Sequence, residues 1–319
     1  MAPMTAGPDA AGRDHGDRRA PGLVVGSAGS STVLDTVLFV LLVGAAVGVL
    51  ATADTGDHRE RASVTEETAD VLSTSTTRVA YSQSYTVIQG GLLGTADRRR
   101  VTIRRTAGGT HAELLAAAAA AVPTVAGTAL VMDEGEFEEA VRPNVRRALP
   151  TETTNVQIRA VWRPYEEGPP GGTVVVGDTP PRDADLSVAT TAVPSGFPNV
   201  TAAAVQGARS GGYDDVAAAV ADGVVRGLFP PAQTRAALYS EGAELVATAA
   251  RYRRASDRLA VETRTLVERR DVHAANERLA GALADRLRRE LRRTFDSPRA
   301  AARAVRIDRV RLVVRTWSP

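Results

Sequence analysis

The sequence predicts an α+β fold: one N-terminal transmembrane helix, then a mostly antiparallel sheet with segregated helices, including a long arginine-rich C-terminal helix or helical hairpin. Three observations predict it. Residues 37–51 are fifteen in a row without a polar side chain. Several later stretches alternate apolar and polar at strand period, in a chain rich in turn residues. After Pro231 about 60 residues pass without another proline, and only Gly242 and Gly281 interrupt them.

Residues 1–32 are rich in Gly, Ala, Ser and Pro, lack periodicity, and read as a short disordered cytoplasmic tail. Residues 33–53 read as the transmembrane helix, since about 20 residues cover a hydrocarbon core of about 30 Å. Arg13, Arg18 and Arg19 precede the span, and the next arginines are Arg59 and Arg61. The positive-inside rule then places the N-terminus in the cytoplasm and everything after Asp54 outside, in a single-pass protein of the cell membrane. Three processing readings stay open: a retained anchor, a signal peptide cut at Ala51-Thr52-Ala53, and a leader cut near Gly29 or Ser30. Asp35 stands just inside the span. A carboxylate at mid-depth costs about 2.5–3.5 kcal/mol on insertion scales, but in a first turn at headgroup depth it complements the helix dipole.

Residues 54–193 read as an extracytoplasmic α+β domain. Its first part, 54–78, is polar with a helical pattern and suggests a stalk leaving the membrane. Residues 79–88 and 98–106 alternate and form a hairpin around Gly90, Gly91 and Gly94. Thr110 and Glu113 form a capping box that opens an alanine-rich helix closed by Pro123. A second helix follows over about 134–149, before Pro150. In 155–162, Val156, Ile158, Ala160 and Trp162 share one face of a strand, and 173–178 and 184–193 add two more. Residues 194–213 read as a Gly/Pro/Ser loop and internal boundary, carrying the N-glycosylation acceptor pattern Asn199-Val200-Thr201. Residues 214–319 read as a helical region, either one rod or a hairpin broken near Ser256, with a closing strand at about 305–317. Leu279, Leu283, Leu287, Leu291 and Phe295 recur every fourth residue. Such a stripe suits a helix packed on its own domain, or else a partner face.

Composition removes whole classes of chemistry. Cysteine is absent, so disulfides, iron–sulfur clusters and thiolate metal sites are excluded. All 39 basic residues are arginine, which excludes a P-loop lysine or a Schiff-base lysine. His15, His58, His111 and His273 lie far apart, at no metal-ligand spacing. The acidic run Asp133, Glu134, Glu136, Glu138 and Glu139 suits a solvated helix start better than a cation site. No catalytic, cofactor or metal residues are expected. Net charge is +2 but divides unevenly. Residues 1–250 carry 20 arginines against 28 acidic residues, and 251–319 carry 19 against 9. The interleaving of these arginines with Glu and Asp at helical spacing favours solvated helix faces over nucleic-acid binding. The apolar run makes membrane lipid the expected partner.

The small residues before "STVLDTVLF" and the apolar helix after it resemble the N-terminal region of type IV pilin-like subunits. In those proteins an acid near the mature N-terminus pairs with a neighbouring subunit during assembly, which implies an assembly role for Asp35; cleavage after Ser30 would make it the fifth residue. Two departures stand: the acid is Asp rather than Glu, and no basic residue directly precedes Gly29. The same segment, "GLFPP" and the closing "VRLVVRTW" also resemble a haloarchaeal membrane-protein family associated with pilus or type II secretion-type loci. The resemblance implies a membrane-anchored, outward-facing, non-enzymatic component of such an assembly. A surface binding module outside any pilus, or a tethered hydrolase without a recognisable motif, are the alternatives.

Overall fold

The computed structural model describes residues 56–90, 96–130, 136–149, 155–169 and 171–318. In chain order the elements are α1 (Gly56–Thr74), β1 (Thr76–Gly90), β2 (Ala96–Thr110), α2 (His111–Ala121), β3 (Thr124–Val125), β4 (Thr128–Ala129), α3 (Glu136–Ala148), β5 (Asn155–Trp162), β6 (Gly172–Gly177), β7 (Ser187–Pro194), α4 (Thr201–Ser210), α5 (Tyr213–Leu228), α6 (Pro231–Tyr239), α7 (Ala243–Leu259), α8 (Arg264–Glu268), α9 (Val272–Thr294), α10 (Pro298–Ala304) and β8 (Arg309–Trp317). The fold is α+β with antiparallel sheets. Among the described residues no helix is long and apolar enough to cross a membrane. The expected tail (1–32) and span (33–53), with Asp35, lie outside them.

The organising sheet has strand order β6-β5-β8-β7. Strand period puts Val156, Ile158, Ala160 and Trp162 on one face, and all four are buried, as their alternation predicts. β8 supplies Val310, Leu312, Val314 and Thr316 to the same face. There α1 and α2 cover the sheet. The capping box starts α2 as expected: the Glu113 amide donates to Thr110 Oγ1 at 3.1 Å, and the Thr110 amide donates to Glu113 Oε2 at 2.8 Å. The hairpin β1–β2 runs the full length of both strands from Thr76 opposite Thr110.

Several expectations change. Residues 54–78 suggested a free stalk, but α1 buries Thr65, Thr68 and Leu72, and the Thr65 and Thr316 hydroxyls share a buried hydrogen bond at 2.5 Å. Residues 194–213 were expected as loop; alanines at 202–204 instead build α4, which buries Ala204 and Gly207 against its neighbours. The two regions 54–193 and 214–319 are not separate bodies, because β8 inserts between β5 and β7 and one core runs through both. The proline-free stretch breaks at Gly242 (φ 80°), Ala260 (φ 58°) and Arg270 (φ 61°), giving α6, α7, α8 and α9 rather than a rod. Leu279, Leu283, Leu287 and Leu291 are fully buried and Phe295 is nearly so, in the chain's own core where α9 lies along α5. The stripe is therefore occupied internally and is not offered to a partner. Burial of each leucine contributes about 1.5–3 kcal/mol.

Candidate functional site

Six parts of the fold surround a cleft of ≈ 560 Å³. The hairpin gives Tyr81, Gln83 and Arg105; α7 gives Glu244, Thr248 and Arg251. The end of α2, Phe137 of α3, the Ser195–Phe197 turn and the α5–α6 junction supply a largely apolar opposite wall. The cleft exists because the hairpin and α7 meet through a small apolar cluster of their own, Tyr85, Ile103, Ala247 and Ala250. Gly227 keeps the opposite wall close. A Cβ there would lie 2.0 Å from the Phe197 ring, which itself packs on Trp162 with ring centres 5.1 Å apart.

The polar side is built from two arginines and one carboxylate. Arg105 Nη2 donates to Glu244 Oε2 at 2.7 Å, and its Nε donates to Gln83 Oε1 at 2.9 Å. Arg251 has a different environment. Its Nη2 donates to the Leu228 carbonyl at 2.6 Å, capping the end of α5, and its guanidinium lies 5.4 Å from the Phe229 ring centre. Among the described residues no carboxylate pairs with it. Burial lowers its pKa from the ordinary arginine value, and the nearby Arg105 charge adds to that direction. Thr234 and Thr248 are buried residues lining the cleft, and neither hydroxyl has a hydrogen-bond partner among the described residues.

Behind Arg251 a buried relay fixes the wall. Tyr252 stacks on Phe229 with ring centres 4.1 Å apart and donates to Asn276 Oδ1 at 2.7 Å. Asn276 Nδ2 donates in turn to the Phe229 carbonyl at 2.9 Å.

This arrangement suits binding. Ser195 lines the cleft, but its hydroxyl donates to the Ile307 carbonyl at 2.6 Å and accepts the Phe197 amide at 3.1 Å, so it serves the turn rather than a nucleophilic role. A desolvated guanidinium without a counter-ion favours a carboxylate or phosphate, which it can meet with charge-assisted, bidentate hydrogen bonds. The facing wall of Ala117, Ala120, Phe137, Phe197 and Leu228 favours an apolar body on the same ligand. Among the described residues no group of His, Asp or Glu could hold a metal.

None of the site residues expected from the sequence lies on this cleft, although the GLFPP stretch supplies Gly227, Leu228 and Pro230 to its wall. Asp35 is outside the described residues. Asn199 is exposed ahead of α4; its Oδ1 accepts the Thr201 amide at 2.9 Å and its Nδ2 donates to Asp308 Oδ2 at 3.0 Å. In the acidic run, Glu136 accepts the Ser84 amide at 3.1 Å and Glu138 pairs with Arg142, while Asp133 and Glu134 lie outside the described residues. The cleft residues did leave a signal. Arg105 continues the alternation of Val101 and Ile103, and so stands at a core-face position. Glu244, Thr248 and Arg251 fall at i, i+4 and i+7 of one helix face.

The model of a family described as a family of unknown function, DUF7284, matches residues 34–317. No curated protein and no solved structure matches the chain.

Proposed function

The chain belongs to the DUF7284 family, and from the order of its segments we propose that it is a membrane-anchored, outward-facing, non-enzymatic component of a pilus- or secretion-type assembly. The observation that carries this reading is the apolar run 37–51, with Asp35 at its head, placed directly before a folded domain. α1 begins at Gly56, three residues past the end of the span at 53, and is fastened to the sheet through Thr65 and Thr316. A span followed at once by a rigid domain suits a subunit held near the membrane, and an acid at the head of the span suits pairing with a neighbouring subunit. The long arginine-rich α9 acts within this reading as the internal spine of the outer domain.

Co-purification from membranes tests the assembly role, with wild type, Asp35→Ala and Asp35→Glu at matched expression. Asp35→Ala inserts but loses recovery with partner subunits, and Asp35→Glu keeps part of it. Equal recovery of all three would remove Asp35 from assembly. Protease added to intact cells tests the topology: the region after Asp54 is degraded, and its protection would reverse the orientation.

The cleft favours a second reading, a tethered binding module for a small amphipathic anion. Arg251 supports it, as a desolvated cation with no carboxylate partner among the described residues, facing an apolar wall. Decanoate and decanol are suitable probes for the full chain in detergent-free bilayer discs. Decanoate binds more tightly than decanol in wild type, and Arg251→Gln weakens decanoate by about tenfold or more through loss of a charge-assisted hydrogen bond. Equal affinity for the two probes would sink this reading.

A further inference from the structure

A second group of arginines converges on the other face of the sheet, far apart in sequence. Directly opposed residues of an antiparallel pair point to one side. Gln157 opposes Arg315, Arg159 opposes Val313, and Val161 opposes Arg311. One face therefore carries Arg159 from β5 and Arg311 and Arg315 from β8, with Arg163 one step beyond the end of β5. Arg311 and Arg159 both lower the pKa of Arg163, after the larger effect of burial, which places the three charges together. β7 completes the face with exposed Val188, Thr190, Ala192 and Pro194, and β6 with Thr173, Val175 and Gly177. No strand residue on this face is acidic.

These arginines lack the carboxylate partners that some arginines elsewhere in the fold have. Arg226, Arg288 and Arg306 each pair with a carboxylate. Among the described residues none pairs with Arg159, Arg163, Arg311 or Arg315. Arg163 donates only to the Gly168 carbonyl, and Arg315 only to Gln157 Oε1 at 3.5 Å. Arg159 Nε is buried without any hydrogen-bond partner. Leaving a charged donor in that condition is unfavourable, as is bringing like charges together on adjacent strands. An anion on this face would relieve the repulsion.

We infer that the arginine face of the sheet docks on the phosphate-bearing headgroups of an anionic lipid bilayer, an inference that rests on the membrane-anchored reading. The shape of the face favours this occupant. Its cations lie on neighbouring strands about 4.8 Å apart, Arg311 is exposed, and the exposed Val188, Thr190 and Ala192 of β7 flank them. Such an array meets many phosphates at once, and guanidinium is the side-chain cation best matched to phosphate. The anchor would keep the domain beside the bilayer, so even weak individual contacts would act at high effective concentration. Near an anionic surface each arginine contributes about fivefold to the docked population.

The absence of cysteine allows a direct test on the full chain. Val188 lies on the arginine face and is 56% exposed, whereas Tyr239 on α6 is 61% exposed and belongs to no strand of the sheet. Val188→Cys and Tyr239→Cys are each placed in bilayer discs of phosphatidylglycerol or phosphatidylcholine and reacted with an uncharged maleimide. Val188→Cys is expected to react at least fivefold more slowly in phosphatidylglycerol. The slowing disappears at 1 M salt, where the screening length falls to about 3 Å. It disappears also in an Arg159→Gln/Arg311→Gln background whose circular dichroism is unchanged. Tyr239→Cys reacts alike in both lipids. Equal rates for Val188→Cys, slowing that survives arginine removal, or protection in native membranes but in neither disc would overturn the inference; the last would assign the face to an acidic protein. A chain that enters neither disc would overturn the anchored reading and this inference with it. A chain that enters both with equal rates overturns this inference alone.

Discussion

Arg105 on β2 and Glu244 on α7, 139 positions apart, meet at 2.7 Å and join the hairpin to the helical half of the domain. Both side chains are more than a third exposed or close to it, at 34% and 42%. An ion pair in that setting contributes about 0.2–1 kcal/mol. Its larger effect is electrostatic, because Glu244 supplies the only carboxylate among the described residues lining the cleft that also holds Arg251. Glu244→Gln should therefore leave the unfolding midpoint in urea almost unchanged while tightening decanoate binding severalfold. Weaker binding in this variant would mean that Glu244 accepts from the ligand instead of repelling it.

The relay behind Arg251 makes the opposite kind of prediction. Asn276 satisfies both the Tyr252 hydroxyl and the Phe229 carbonyl, and all of these groups are buried. Asn276→Leu is close in volume but strands a donor and an acceptor. Each stranded group costs about 1–3 kcal/mol. Chemical denaturation should show a loss of about 2–6 kcal/mol, and Tyr252→Phe in the same background should recover part of it by removing the stranded hydroxyl. Additive losses in the double variant would show that the two side chains act independently.

Local signals carried much of the fold and little of the site. Thr110 and Glu113 announce the start of α2 within four residues, and the alternation from Val156 to Trp162 marks the inner face of β5. Both are decided by contacts close in sequence or by strand period alone. The position of β8 between β5 and β7 is not, because it depends on pairing residues about 150 positions apart, such as Ile158 with Val314. The arginine face shared those hidden pairings: Arg159 and Arg311 look unrelated until the register is known. The C-terminal charge excess suggested helix faces, yet Arg309, Arg311 and Arg315 stand on a strand. Asn276 shows a subtler loss. It falls on the stripe of α9 three residues before Leu279, where a polar residue interrupts the apolar pattern because Tyr252 and Phe229 require a partner there.

Alkaline pH should weaken the fold through its buried tyrosines. Burial, followed by the hydrogen bond to the Glu290 carboxylate, raises the Tyr165 pKa, and burial raises that of Tyr252. In the unfolded chain both titrate near 10. The stability they contribute is complete below about pH 10. Above it the unfolded chain releases protons that the native chain retains, so stability falls by about 1.4 kcal/mol per pH unit for each tyrosine until its raised native pKa is reached. Urea unfolding between pH 9 and 12 should show this slope. Tyr165→Phe should flatten it, and an unchanged slope in that variant would remove Tyr165 from the effect.

The burial of Leu287 sets the strongest stability prediction. α9 lies on α5, and Leu287 is fully buried at their contact with Leu283 and Leu291. Leu287→Ala removes apolar contacts and leaves a cavity, which costs about 2–5 kcal/mol depending on how far the neighbours close in. Leu287→Asp places an unpaired carboxylate in the same position. Its desolvation is comparable with the whole stability of a domain, about 5–15 kcal/mol. The expected result is graded: Leu287→Ala folds with a lowered midpoint, and Leu287→Asp loses its cooperative thermal transition by circular dichroism. Loss of the α5–α9 contact should also expose the segment after α8 to proteolysis before the hairpin is cut. A Leu287→Asp chain that melts cooperatively near the wild-type midpoint would mean that α9 is not held in the core as described, and would reopen the stripe from Leu279 to Phe295 as a surface for a partner.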